Sequence, residues 1–417
     1  MDLKTFLIVE RGRTKPPLRC AFFGGILLAL ALAGCRTEKL PNYPRAYREY
    51  AYVSNGKSNT VSVLDIDTYK SIKTIAVGNN PTGVAANPAR NEVYVVNAGS
   101  GTVSVIDAER NLVSGIVRVG EKPYFIAVAN QGLRAYVANS ASNNLSVIDL
   151  PQHKVIRTIA VGKAPGLAQV STDGKLVVTS NLEDDSISII DTQKMVVRST
   201  IQTCRQPTEL AFLPDASKVF VTCSGSGQVA VVALEKEIAP ETEQNSLRTS
   251  RQPAAERSGD HLLALLDVGQ TPLHVAVKPD GGEAFVCNFD SNSVSEIATT
   301  TNEVGGSYLI GKNPVRGLVS ADNSVLYVSN FGSDSVGVYS IDDGKLIGTV
   351  NVGSHPDAMA LSPNQNFLFV VDTAAGDVSV VRTAAKQGAV LLTIIPVGQQ
   401  PNDIAVKAFI LRKPPLE

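Results

Sequence analysis

Short apolar runs alternate along most of the chain with clusters of Gly, Pro, Asn and Asp, the pattern of strands joined by turns. The most regular run reads Tyr52-Val53-Ser54-Asn55, then Tyr94-Val95-Val96-Asn97, Tyr136-Val137-Ala138-Asn139 and Tyr327-Val328-Ser329-Asn330. Looser copies end at Asn181, Cys223, Asn288 and Asp372. A second kind of run follows each, as in Val61-Ser62-Val63-Leu64-Asp65 and Val103-Ser104-Val105-Ile106-Asp107. Side chains of a strand alternate between its faces, so the two Val of Val-Ser-Val share one face and Ser joins Ile on the other. Many runs are apolar on both faces, which predicts sheets covered on both sides.

These runs recur with a Gly-x-x-Pro step: Gly78–Pro81, Gly120–Pro123, Gly162–Pro165, Cys204–Pro207 (Cys replacing Gly), Gly269–Pro272, Gly311–Pro314, Gly353–Pro356 and Gly398–Pro401. The steps lie 42, 42, 42, 65, 42, 42 and 45 residues apart. A period near 42 with four strand-like runs is that of a propeller blade. One blade cannot bury both its faces, so a closed ring of blades does the work of a core. The first blade lacks an initial strand before Tyr52, and Ile404-Ala405-Val406 after Pro401 supplies one. The expectation is an all-β, eight-bladed β-propeller of four-stranded antiparallel blades, closed by the C-terminal strand joining the N-terminal blade. Seven blades is the alternative, but it leaves one complete repeat without a place.

The Tyr-Val-x-Asn, Val-Ser-Val-Ile-Asp and Val-Gly-x-x-Pro elements resemble the YVTN-type propeller repeats of bacterial and archaeal surface proteins, from residue 51 to about 407. The long step carries 23 extra residues within 235–261, charged and without periodicity, and these are read as a disordered loop between a third and a fourth strand. The propeller is read as residues 50–417.

The N-terminus follows another pattern. Lys4, Arg11, Arg13, Lys15 and Arg19 precede an uncharged apolar run at 21–33, too short to span a bilayer core of ~30 Å and suited to a signal peptide. The run ends in Leu32-Ala33-Gly34-Cys35, which resembles a bacterial lipobox. That resemblance implies a signal peptide over 1–34, lipid on Cys35, a tether over 35–49, and a protein facing the periplasm or cell surface. Arg36 after the Cys favours the outer membrane where there are two. Two acyl chains anchor effectively, because each buried CH₂ adds ~0.8 kcal/mol.

Composition adds exclusions. A net charge of −1 offers no basic footprint for nucleic acid. The chain has 4 His, none paired at ligand spacing, so no metal site and no cofactor is expected. No nucleophile or nucleotide-binding motif is present.

Repeats carry an internal control: residues constant down a column are structural, and departures are functional candidates. Asp65, Asp107, Asp149 and Asp191 are accordingly expected to cap turns. Glu183, Asp184, Asp185, Asp290, Asp334 and Asp377 are read as solvated loop acids. The column two residues after the Pro is variable, reading Gly83, Phe125, Leu167, Glu209, His274, Arg316, Ala358 and Asp403. It opens the innermost strand at the mouth of the ring. Two readings stand: a funnel for a small, partly anionic ligand gripped by Arg316, or an ion-pair network across blades. His355 lies in a loop on the same face. Cys204 and Cys223 map to one end of one blade, where an exported chain permits a disulfide.

The function expected is that of a monomeric, non-enzymatic binding or scaffold module for protein or polysaccharide at the cell envelope. The alternatives are a small-ligand or haem-handling propeller, resembling haem d₁ domains with His274 or His355 as axial ligand, and a propeller-type hydrolase or lactonase.

Overall fold

The computed structural model describes residues 44–235, 259–383 and 388–411. The stretch read as a signal peptide, Cys35 and most of the stretch read as a tether lie outside the described residues, as does most of the insertion.

From Ala46 onward the described residues form one compact unit built of eight four-stranded antiparallel sheets. Blade I comprises Tyr47–Asn55, Thr60–Asp65 and Lys70–Ala76, completed by Pro401–Ile410. Blades II to VIII span residues 81–118, 123–160, 165–202, 207–267, 272–308, 314–351 and 356–396, each with its strands in chain order. The strand that opens at each Pro is innermost and touches its counterparts in the blades on both sides, around the whole ring. Among the described residues the only helical element is a 3₁₀ turn at Phe331–Ser333.

The seam pairs Tyr47–Asn55 with Pro401–Ile410, with Tyr50 opposite Lys407 and Tyr52 opposite Ala405. Eight blades, not seven, therefore close the ring, and closure removes the edges that an open sheet would leave at its inner rim. The first strand begins at Tyr47, so residues 47–49 of the stretch read as tether pair with Ala408–Ile410.

Second and third strands are buried along nearly their whole length on both faces. The core is accordingly a series of inter-blade layers. Tyr94, Val96, Val103 and Val105 of blade II pack on Ile126, Ala135 and Val137 of blade III. Across the seam, Phe369, Val371 and Val378 of blade VIII pack on Ala51 and Val53 of blade I. The turn column behaves as expected: Asp65 Oδ1 accepts from Thr68 N at 2.9 Å, and Asp191 Oδ1 from Gln193 N and Lys194 N at 2.9 and 2.8 Å.

The Asn column does something different from turn capping. Asn139 is fully buried, and its Nδ2 donates to Asn144 Oδ1 at 2.8 Å and to Ser146 Oγ at 2.9 Å. Its Oδ1 accepts from Gly120 N at 3.0 Å. A Cβ on Gly120 would lie 2.7 Å from the Asn139 side chain, which explains the Gly of Gly-x-x-Pro. Asn55 and Gly398 repeat this latch across the seam, with Gly398 N to Asn55 Oδ1 at 3.0 Å. In blade V both partners change together: Cys204 replaces the Gly, Cys223 replaces the Asn, and a disulfide joins them. The Gln residue after Arg205 and its counterparts, the residue before each Pro, adopt left-handed backbone with φ of 46–55° in all eight repeats.

The feet of the insertion are tied to the neighbouring blade. Asp260 Oδ1 accepts from Glu235 N at 2.9 Å, and Asp260 Oδ2 from Arg198 Nε at 2.9 Å.

Candidate functional site: the mouth of the ring

Each inner strand slips register just after its Pro, between Pro165 and Ala168 in blade IV and between Pro314 and Arg316 in blade VII. A bulge interrupts the pleat and re-aims side chains. The first two residues after the Pro therefore both serve the mouth, and the site draws on two columns.

Arg316 is its hub. Nη1 lies 3.7 Å from Glu209 Oε2, and Nε donates to Asp357 Oδ1 at 3.2 Å. Asp403 and Tyr124, from blades I and III, also act electrostatically on the guanidinium. Burial opposes its charge, but Glu209, Asp357 and Asp403 outweigh that cost and raise its pKa further. The side chain keeps 30% of its exposure, so it is ringed by protein yet reached by water. His274 Nδ1 accepts from Gly317 N at 3.3 Å, which leaves the Nε2 proton of the neutral ring facing Glu209 Oε1 at 3.6 Å. Burial first, and Arg316 after it, lower the His274 pKa, so the ring is neutral at pH 7. Asp403 Oδ2 accepts from Val84 N and Oδ1 from Ile404 N, both at 2.9 Å. Burial raises its pKa to about 6 while Arg316 pulls it down.

Glu209, His274, Arg316 and Asp403 thus converge. The remaining members of the column do not join them. Leu167 is buried in the layer between blades IV and V, and Phe125 packs against that layer. His355 is exposed on the rim and stacks on Phe331, with centroids 4.2 Å apart and planes 9° apart. Phe331 meets Phe289 at 6.1 Å. These three rings form a row over blades VI, VII and VIII. Where Phe289 and Phe331 stand, the other blades have Gly56, Ala98, Ser140, Leu182, Ser224 and Thr373.

Sequence reading missed Asp357, Tyr124 and the aromatic row. Asp357 and Tyr124 belong to the column directly after the Pro (Thr82, Tyr124, Gly166, Thr208, Leu273, Val315, Asp357, Asn402), whose variability was a usable signal. The loop acids are not merely solvated. Asp184 Oδ2 accepts from Lys163 N at 2.6 Å, Asp185 Oδ1 from Gln206 N at 2.8 Å, and Asp334 Oδ1 from His355 N at 2.9 Å.

The mouth holds three carboxyl groups to one guanidinium, so it offers no spare positive charge for an anion. Among the described residues no group of three or more His, Cys, Asp or Glu side chains is arranged to hold a metal ion.

Two family descriptions match parts of the chain. One is "Lactonase, 7-bladed beta-propeller" at residues 318–405, and the other is "YNCE-like beta-propeller" at 129–234. No curated protein sequence matches significantly. Among solved structures, hydrazine synthase of Kuenenia stuttgartiensis is similar over 73% of this chain and 96% of its own, with 21% identity and a TM-score of 0.55. The dihydro-heme d1 dehydrogenase NirN in complex with DHE is similar over 85% of this chain and 74% of its own, with 14% identity and a TM-score of 0.67. A Lactobacillus plantarum protein is similar over 87% and 99%, with 17% identity and a TM-score of 0.58. At these identities the likeness is one of fold.

Proposed function

We propose that this protein is a non-enzymatic binding module of the cell envelope, held by lipid on Cys35, which presents the Gly-x-x-Pro face of its propeller to a protein or polysaccharide. The observation that carries the reading is the aromatic row Phe289–Phe331–His355, set beside the mouth where no other blade has an aromatic residue at the two Phe positions. Aromatic rings that keep a polar, wet surround are what recognition surfaces use. The mouth supports the same division of labour. Glu209, Asp357 and Asp403 are engaged with Arg316, His274 and backbone amides, so they join blades V, VI, VII, VIII, I and II.

The test uses the full chain in detergent micelles, with Phe289→Ala/Phe331→Ala beside the wild type. Retention on isolated envelope polysaccharide or on a defined envelope protein should fall at least tenfold in the variant. Two checks accompany it: Cys35→Ala should release the protein from membranes, and lactone and ester substrates should be left intact. Turnover that is lost on changing Glu209 or Asp357 would replace this reading with a hydrolase, the alternative towards which the 318–405 match leans. A haem-handling propeller instead requires His274 Nε2 or His355 to ligate iron, and purified protein that carries a haem absorption band lost in His274→Ala or His355→Ala would favour it.

A further inference from the structure

In blade VIII the Asn of the latch is Asp372, and the residue directly across the hairpin from it is Asp377. Other blades place Thr60, Thr102, Asn144, Ser186, Ser293 or Ser335 at that second position, and the Asn amide donates to them. Asp372 has no such donor. It is fully buried, Oδ2 accepts from Ser379 Oγ at 2.7 Å, and both Asp372 Oδ1 and Asp377 Oδ1 are buried without a partner. The Oδ1 of Asn97, Asn181, Asn288 and Asn330 is unpartnered too, so what sets blade VIII apart is that a second buried carboxyl oxygen faces it and no amide stands between them. Two acids facing each other out of water cannot both ionise. A proton between the two orphan oxygens would satisfy both and replace the missing amide donor.

We propose that Asp372 and Asp377 share one proton, and that this proton holds the segment that brings Asp357 to Arg316. The link is short. Gly353 N donates to Ser379 Oγ at 3.1 Å, Thr373 N to His355 O at 3.0 Å and Ala374 N to Ser354 O at 3.2 Å. Loss of the proton puts two like charges beneath residues 353–357, the stretch that carries both a ring of the aromatic row and a carboxylate of the mouth. The inference concerns regulation of the face proposed above as the binding surface. It rests on that reading for its functional meaning, and on the hairpin alone for its chemistry.

The surrounding elements supply no competing counter-charge. The inner strand brings Asp357, which is engaged with Arg316. The loop brings His355, stacked on Phe331, and blade VII brings Asp334, bonded to His355 N. Arg382 stands at the far end of its strand, opposite Phe367. In blade I, Lys57 is exposed and tied through its backbone to Gln399. Burial and then Asp377 raise the Asp372 pKa, and burial raises that of Asp377.

The experiment is thermal unfolding of the full chain from pH 5 to pH 9, read beside amide exchange at Thr373 and Ala374. Wild type should lose roughly 2–4 °C relative to Asp372→Asn as pH rises, with exchange at the two amides rising beyond the intrinsic base-catalysed rate. Asp372→Asn, which restores the latch of the other blades, should fold and abolish both effects. Asp377→Asn should abolish them as well, and the infrared band of a buried protonated carboxyl should vanish in either variant. Parallel pH profiles for wild type and Asp372→Asn overturn the proposal. So does a stabilisation by calcium or sodium that Asp372→Asn lacks, because the pair would then hold a cation. Neither readout involves a ligand, so the binding reading stands or falls separately.

Discussion

Blades V and VIII depart from the same latch in opposite ways. The others keep a Gly packed on an Asn whose amide donates across the hairpin, and in blades I and III the Asn Oδ1 also accepts from the Gly amide. Blade V replaces both partners with a Cys204–Cys223 disulfide, while blade VIII keeps Gly353 and substitutes an acid for the Asn. One substitution makes the joint indifferent to pH and sensitive to redox state; the other does the reverse. The difference teaches that the slot demands a bridge across it and tolerates very different chemistry for the bridge.

The comparison breaks most visibly at the disulfide. Cys204→Ser/Cys223→Ser, or reductant on the wild type, should cost about 3 kcal/mol, measured as a shift of the denaturant midpoint. Asn139→Ala removes a standard latch and leaves Gly120 N and Ser146 Oγ short of partners, which should cost about 2 kcal/mol. A double change of Cys204→Gly with Cys223→Asn sharpens the comparison. It should recover about 1–2 kcal/mol of the disulfide loss and remove all sensitivity to reductant.

The acid comes next. Burial and the facing Asp377 lift the Asp372 carboxyl well above the usual carboxylate range. A carboxyl raised in this way contributes stability that is fully present below its unfolded pKa and is lost as pH rises through the folded value. Asp372→Asn should therefore gain about 1 kcal/mol or more over wild type at pH 9 and nothing at pH 4, whereas the disulfide variants should show the same loss at both. The smallest effect expected is at Asp185→Ala, which deletes one acceptor for Gln206 N on a half-exposed loop and should cost about 0.5–1 kcal/mol.

Much of this was legible because the chain repeats itself. The 42-residue step and the spare strand after Pro401 specified eight blades and their seam. Asp65 and Asp191 could be read as turn caps because four successive repeats place an Asp at the same position. Cys204 and Cys223 stood out as a paired departure from constant columns. The mouth was legible in part. Glu209, His274 and Arg316 were found by their variability, but Asp357 and Tyr124 lie one residue nearer the Pro. Strict alternation assigns that position to the opposite face, and a register slip that no periodicity announces brings it to the mouth. The aromatic row was illegible for another reason. Phe331 and His355 are 24 residues apart and meet only because blade VII delivers its loop to the edge of blade VIII.

The seam between Tyr47–Asn55 and Pro401–Ile410 has a consequence for how the molecule comes into being. The first sheet to leave the ribosome is the last to be completed, since its innermost strand is translated some 350 residues later. Until then a nascent chain carries the flank of Phe369 and Val371 uncovered, along with its opposite number at Ala51 and Val53. A premature stop anywhere before residue 401 should yield not a smaller wheel but a sticky, protease-sensitive arc.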